Sequence, residues 1–350
     1  MAVTDLTIGN ELLSTTMHIL MKDFRDNVHE SVAFLDAQER VHGAGKPVQA
    51  GGSRIVVPLG FGEHSSTTRM QTGFERIDLS VEDVFQPAQY DFGHVVRPVA
   101  ISSEEEMVNS GDAAILSILE SRVLMTANAL KREYVKQIVK GGQTGWDDWN
   151  TLNGFDVTTG DHQGFLEPEA VGSQGNTCGN VSKATFSSKT GWQNQIFDGA
   201  GSFNANGLAG LYDLLVEIDA VSPSGKPNVI LASRAGFKNL KRALQAHERY
   251  VDQAQIDGGR MVETFQGIPI NVEFNMPNAG SATTADPVSF YLLNMNDIYT
   301  LWDPQGYFDL SDFETVSGEY DVRAAKLRCR GQLIAKHLGS SGVAFDLETF

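Results

Sequence analysis

The chain has 350 residues, 41% of them hydrophobic, enough to bury a core over about two or three packed units. Its 27 Lys and Arg against 44 Asp and Glu give a formal net charge of −17, which argues against a protein that grips nucleic acid, because neutralising phosphates needs clustered basic side chains. An acidic wall enclosing DNA is compatible with that balance, and so is solubility alone. No run approaches the roughly eighteen consecutive apolar residues of a membrane span, and the N-terminus lacks the basic and then apolar pattern of a secretory leader. Cys178 and Cys329 are too few and too far apart for a disulfide framework or a four-ligand zinc site. The expectation is a soluble protein suited to a reducing cytosol.

Within residues 1–50, Leu12, Leu13, Met17, Leu20, Met21 and Phe24 recur at helical spacing, ahead of a Gly-rich run at 42–47. This reads as an N-terminal arm ending in a flexible joint. A helix with so narrow an apolar stripe cannot bury itself alone, so it docks on another unit or on a neighbouring subunit. Over 51–90 the pattern turns to extended chain. Residues 54–58 form one side; Ile77, Leu79 and Val81, alternating with Asp78, Ser80 and Glu82, form the other, with a Gly/Ser/Thr-rich tip at 60–68 between them. The expectation is a long two-stranded hairpin. It either rests on something else or belongs to a core sheet, since isolated hairpins are marginal in water.

The clearest helix falls within 91–141. Asp112 is a candidate cap, Ile115, Leu119, Val123, Ala127, Leu130, Tyr134 and Ile138 follow at helical spacing, and Gly141 and Gly142 stop it. At about 1.5 Å per residue it runs roughly 40 Å, the size of a spine. Residues 142–206 are rich in Gly, Asn, Thr and Ser with no sustained period. They also carry Trp146, Trp149, Phe155, Phe165 and Trp192, which argue for an ordered, loop-rich insertion. Over 207–320 helices at 207–218 and 234–244 alternate with strands at 228–232, 268–272, 290–293 and 298–302, closing on a turn at 303–306: a compact α/β unit. The last segment, 321–350, opens with a long strand reaching 337. It puts Ala325, Leu327, Cys329 and Leu333 on one face and Lys326, Arg328 and Arg330 on the other.

The spacings that carry chemistry are missing. Lys46 and Lys226 each follow a glycine but precede proline, so neither closes a phosphate-binding loop. Ser202 and the run 339–342 lack the spacing of a hydrolase elbow. The eight histidines are scattered without a metal-binding pair, and Glu104, Glu105 and Glu106 read as a solvated acidic patch. We assign no catalytic residue, cofactor or metal, and the chain is not read as an enzyme. The row Lys326, Arg328 and Arg330 reads equally as a landing strip for an acidic neighbour or DNA and as a solvated strand face.

With arm, hairpin, spine helix and α/β unit in this order, the chain resembles the major capsid proteins of tailed bacteriophages that share the Hong Kong 97 fold, an α+β fold. The likeness is carried by residues 90–106 running into the helix from Asp112, by 227–233 with the following helix, by 265–270 and by 290–294. It implies an N-terminal arm (1–50), an extended loop (51–90) lying over a neighbouring subunit, a peripheral domain with the spine helix (91–141), and a loop-rich peripheral segment or insertion (142–206). It further implies an axial domain (207–320) that meets its symmetry mates in hexamers and pentamers, and a C-terminal strand (321–350) returning to the core. The implied function is self-assembly into an icosahedral shell around packaged double-stranded DNA, without sequence-specific DNA binding and without a membrane, in a virion assembled in the host cytoplasm. A portal protein and a decoration protein are the further partners implied. Some relatives weld their subunits through an isopeptide bond from a loop lysine, but no Lys occurs between Lys46 and Lys131. Non-covalent contacts are therefore expected, with Arg54, Arg69 and Arg76 as candidate ion-pair donors to acidic neighbours. No long charged extension precedes the arm, so a separate scaffolding protein is expected. The alternatives are an encapsulin-like cellular compartment and, further off, a soluble hydrolase or carbohydrate-binding protein built from the aromatic-rich middle segment, for which the hint is Asp147 and Asp148 between Trp146 and Trp149.

Overall fold

The computed structural model describes residues 33–42, 47–61, 67, 69–71, 73, 76, 84–108, 118–154, 163–186, 190–199, 202–245, 253–255, 261–277, 287–315 and 321–350. The helix read at Leu12 to Phe24, the cap at Asp112 and the strand residues Ile77, Leu79 and Val81 lie outside them. The chain divides into two compact units. One comprises 30–96, 129–309 and 328–350, and the other includes 97–128 and 310–327.

The helices are α1 (Ala33–Val41), α2 (Ser103–Val108), α3 (Ile118–Val139), α4 (Leu208–Val221) and α5 (Arg234–Gln245). The strands begin with β1 (Arg54–Gly60), β2 (Phe85–Asp91), β3 (Gly93–Ser102), β4 (Thr151–Asn153), β5 (Gly164–Leu166), β6 (Thr177–Cys178), β7 (Val181–Ser182), β8 (Gln195–Asp198) and β9 (Val229–Ala232). They continue with β10 (Gln253–Gln255), β11 (Met261–Phe265), β12 (Ile268–Val272), β13 (Val288–Leu293), β14 (Ile298–Trp302), β15 (Asp309–Leu310), β16 (Glu314–Thr315), β17 (Val322–Ala335) and β18 (Gly342–Phe345).

The larger unit is organised by a seven-stranded mixed sheet in the order β10-β11-β12-β9-β13-β18-β8. Its central strands β9, β13 and β18 are buried at every position, which is why they read in sequence as continuous apolar runs rather than alternations. Ile230, Ala232, Phe290, Leu292 and Ala344 share one core with Leu211, Leu214, Leu215 and Ile218 of α4 and Leu240 of α5. Val229 and Leu231 alternate with Ile230 and Ala232 along β9 and are equally buried, and α1 packs against β9 and β12. Gly210 lets α4 approach the sheet: a Cβ there would stand 1.8 Å from the Phe197 ring.

Part of the expected arm docks on its own chain. Gln38 of α1 donates to the Thr300 carbonyl at 2.8 Å and accepts from the Thr300 amide at 3.3 Å, and Pro47 and Gln49 exchange backbone hydrogen bonds with Trp302. Around β14 lies an aromatic cluster, with Tyr134 of α3 5.4 Å from Trp149 and 5.1 Å from Trp302 between ring centroids. The helix α3 stops where the glycines predict. The Gly141 amide returns to the Gln137 carbonyl at 2.9 Å, and Gly141 takes φ +81°, a conformation that favours a residue without Cβ.

The strand read at 77–82 lies outside the described residues, and β1 pairs with β2 at 85–91, antiparallel from Arg54↔Asp91 to Gly60↔Phe85. Gln86, Pro87 and Gln89 hide this strand from any apolar alternation, leaving Ala88 and Tyr90 as its buried contacts. The described residues of 142–206 form short strands and turns, and they supply β8, which pairs in parallel with β18 and so belongs to the main sheet.

In the smaller unit, α2 opens on a reciprocal capping box. The Glu105 carboxylate accepts from the Ser102 amide, and Ser102 Oγ accepts from the Glu105 amide, both at 3.2 Å. Arg122 of α3 then donates to both carboxylate oxygens of Glu105, at 2.8 and 2.7 Å. Ser103 ties to Asp321 at 2.6 Å, next to the start of β17, where Glu314↔Ala324 pairs β16 antiparallel to it.

Candidate functional site

The buried titratable groups are arranged for packing. Burial pushes the thiol of the free cysteine Cys178 up to about 12 and raises that of Cys329, so neither is a thiolate nucleophile at neutral pH. Among the described residues no cluster of three or more His, Cys, Asp and Glu side chains could hold a metal. A crevice of about 510 Å³ is lined by Phe61, Trp192, Asp297 and His337, with no Ser, Thr or Cys in its wall among the described residues. Asp297 already accepts from Ser224 Oγ at 2.9 Å. Trp146 and Trp149 are 2% and 0% exposed while Asp147 and Asp148 are exposed, so these rings offer no platform to a sugar. Neither Asp147 nor Asp148 lines the crevice.

The surface is more informative. In the ribbon formed by β1 and β2, Ile55, Leu59, Ala88 and Tyr90 are buried. Tyr90 donates its hydroxyl to the Ala335 carbonyl at 2.9 Å, and the Gln89 amide donates to the Gly179 carbonyl at 2.8 Å, which anchors this side. The opposite side presents Val56 (55% exposed), Phe85 (77% exposed) and the cross-strand pair Pro58↔Pro87 to solvent. Prolines deny the ribbon's strands backbone donors and so discourage indiscriminate edge pairing. Together they leave an apolar side with nothing in the described chain to cover it. Sequence reasoning expected a ribbon but missed this face; the signal is Val56, Phe85 and two prolines at alternate positions on one side of the strands.

The expected basic residues separate. Arg54 is held by its own strand partner, 2.6 Å from Asp91 and 3.3 Å from Gln89, whereas Arg69 and Arg76 are exposed. Lys326 and Arg328 are exposed on β17. Arg330 is folded back: it donates to Asp303 at 2.6 Å and lies 4.8 Å from the Phe92 ring centroid.

The chain matches no protein-family profile and no curated protein sequence. Solved structures do match it from end to end. The subunit of the cyanophage A-1(L) capsid superposes with a TM-score of 0.63 at 17% identity, covering 98% of this chain and 99% of that one. The capsid subunit of an empty GTA particle gives 0.61 at 13% identity over 99% and 100%. The SrpI encapsulin of Synechococcus elongatus PCC 7942 gives 0.58 at 12% identity over 99% and 96%. The chain has the fold these shell subunits share.

Proposed function

We propose that this chain is the major capsid protein of a tailed bacteriophage, a structural subunit that assembles with copies of itself into hexamers and pentamers of an icosahedral shell. The observation that carries the reading is the end-to-end likeness, over 98% of this chain and 99% of the cyanophage capsid subunit. The apolar side of the ribbon, uncovered among the described residues, supports it independently, because such a side gains burial against a second subunit. In this reading Arg69 and Arg76 are donors to acidic neighbours, and Arg54 reaches one only by leaving Asp91. Lys326 and Arg328 face a neighbour or the enclosed DNA, without reading its sequence. A separate scaffolding protein, a portal protein and a decoration protein are the partners, and assembly takes place in the host cytoplasm.

The encapsulin likeness supports a second reading, a cellular compartment that stores an enzyme. Negative-stain electron microscopy of the chain, expressed alone and with a neighbouring scaffold gene, tests both. Shells or capsomer rings are expected. Shells that require a scaffold and take up DNA through a portal favour the phage reading; shells that form alone and enclose a co-purifying enzyme favour the compartment. A chain that stays monomeric in both conditions overturns both.

A further inference from the structure

The helices α4 and α5, which share one core on the sheet, carry fully segregated charge. The charged residues of α4 are Asp213, Glu217 and Asp219, all exposed, and it has no base; those of α5 are Arg234, Lys238, Lys241 and Arg242, all exposed, and it has no acid. Local helix energetics oppose both patterns. Asp213 and Glu217, like Arg234 and Lys238, are like charges four residues apart, which destabilises a helix where an opposite pair would stabilise it. The macrodipole is opposed too, since Asp219 lies in the last turn of α4 and Arg234 in the first turn of α5. Lys241 is engaged by Glu263 at 2.5 Å and Arg242 lies over the Phe350 ring, but Asp213, Glu217, Asp219, Arg234 and Lys238 have no partner among the described residues. Between its acids α4 also exposes Tyr212 by 40% and Val216 by 68%, an apolar centre with a charged rim.

We propose that the acidic face of α4 on one copy binds the basic face of α5 on a second copy, an inference that rests on the shell-subunit reading. The occupant is a second copy because each face finds its complement on the same chain, and in a shell of identical subunits a surface meets another copy. Segregation that costs stability within each helix is then recovered across the contact, where like faces repel and only the unlike pairing is allowed.

Three variants of the full chain test this: Asp213→Lys with Glu217→Lys, Arg234→Glu with Lys238→Glu, and all four together. Self-association is read by sedimentation velocity at low and high salt, with far-UV circular dichroism checking each fold. Each pair reversal is expected to raise the concentration for half-association by about tenfold or more, most at low salt. The fourfold swap, and an equal mixture of the two pair-reversed chains, are expected to recover most of the loss. Should a reversal lose its helical signal, Asp213→Asn with Glu217→Gln and Arg234→Gln with Lys238→Gln carry the same test with a smaller expected loss. Pair-reversed chains that associate like wild type overturn the pairing and leave the shell reading standing. So does a reversal of Arg234 and Lys238 that lowers DNA binding without changing association, and so does a fourfold swap that fails to recover. A wild-type chain that is monomeric at every concentration, with and without scaffold, overturns both.

Discussion

Single side chains tie together the described parts of residues 142–206, which follow no periodic pattern. Asn194 exchanges hydrogen bonds with the backbone of Glu167 at 2.9 and 2.7 Å, and Gln174 does the same with Asn194 at 2.7 and 3.1 Å. The Glu167 carboxylate takes the amides of Gly175 and Asn176 and the ammonium of Lys183, with Lys183 0% and Glu167 4% exposed. Burial pulls the Lys183 pKa down while Glu167 opposes it, so the charged pair holds only as a pair. Lys183→Met should therefore cost about 3–5 kcal/mol in urea denaturation by stranding Glu167, and adding Glu167→Leu should recover part of that. None of this was legible in the sequence, because these polar partners stand 8 to 27 residues apart and follow no repeat. The capping box at Ser102 and Glu105 lies, by contrast, in a short readable spacing, although the acidic run was read as solvated. Hydrogen bonding to Arg122, and then to the Ser102 amide, lowers the Glu105 pKa to about 2. A depressed carboxyl stabilises fully above its unfolded pKa of about 4.3 and loses that stabilisation as pH falls through the folded value. Amide exchange protection over 103–108 should thus weaken between about pH 4 and pH 2, and in Glu105→Gln it should already be weak at neutral pH.

At the scale of elements, what the sequence reveals depends on who supplies the burial. The stop of α3 at Gly141, the strands β9, β12 and β14 and the turn at Asp303 follow from local rules, and the structure puts them where those rules say. The strand β2 escapes because its polar residues make it a strand only through β1 and Gly179, which a local pattern does not contain. Replacing Val56 and Phe85 with Ser removes exposed apolar surface, so the isolated subunit should keep its melting temperature within the small range expected of surface changes, about 0.5 kcal/mol. Assembly should suffer instead, by the lost burial of an aromatic and an aliphatic side chain, about 1.5–3 kcal/mol for each fully covered side chain. Light scattering of assembling subunits reads the difference, and a fall in melting temperature matching the assembly defect would place the face inside the fold rather than between subunits.

For the whole molecule, the order of elements made the fold legible although no motif did: ribbon, helix and α/β unit follow one another as the sequence pattern placed them. What the sequence did not display is which exposed charge and apolar area the fold gathers on one face, since that depends on packing between distant segments. The absence of lysine between Lys46 and Lys131 adds a chemical consequence. A weld from the extended loop needs an amine there, and Arg54, Arg69 and Arg76 offer only guanidinium groups, which stay protonated and attack no carboxamide at physiological pH. Purified shells boiled in detergent should therefore run as a single chain-sized band without a ladder of multiples. Shells held by ion pairs and apolar contact should also loosen with rising salt and denaturant together, whereas a covalent mesh would resist both. A detergent-resistant ladder would place the link on a lysine outside the ribbon, and peptide mass mapping of the linked residues would say which.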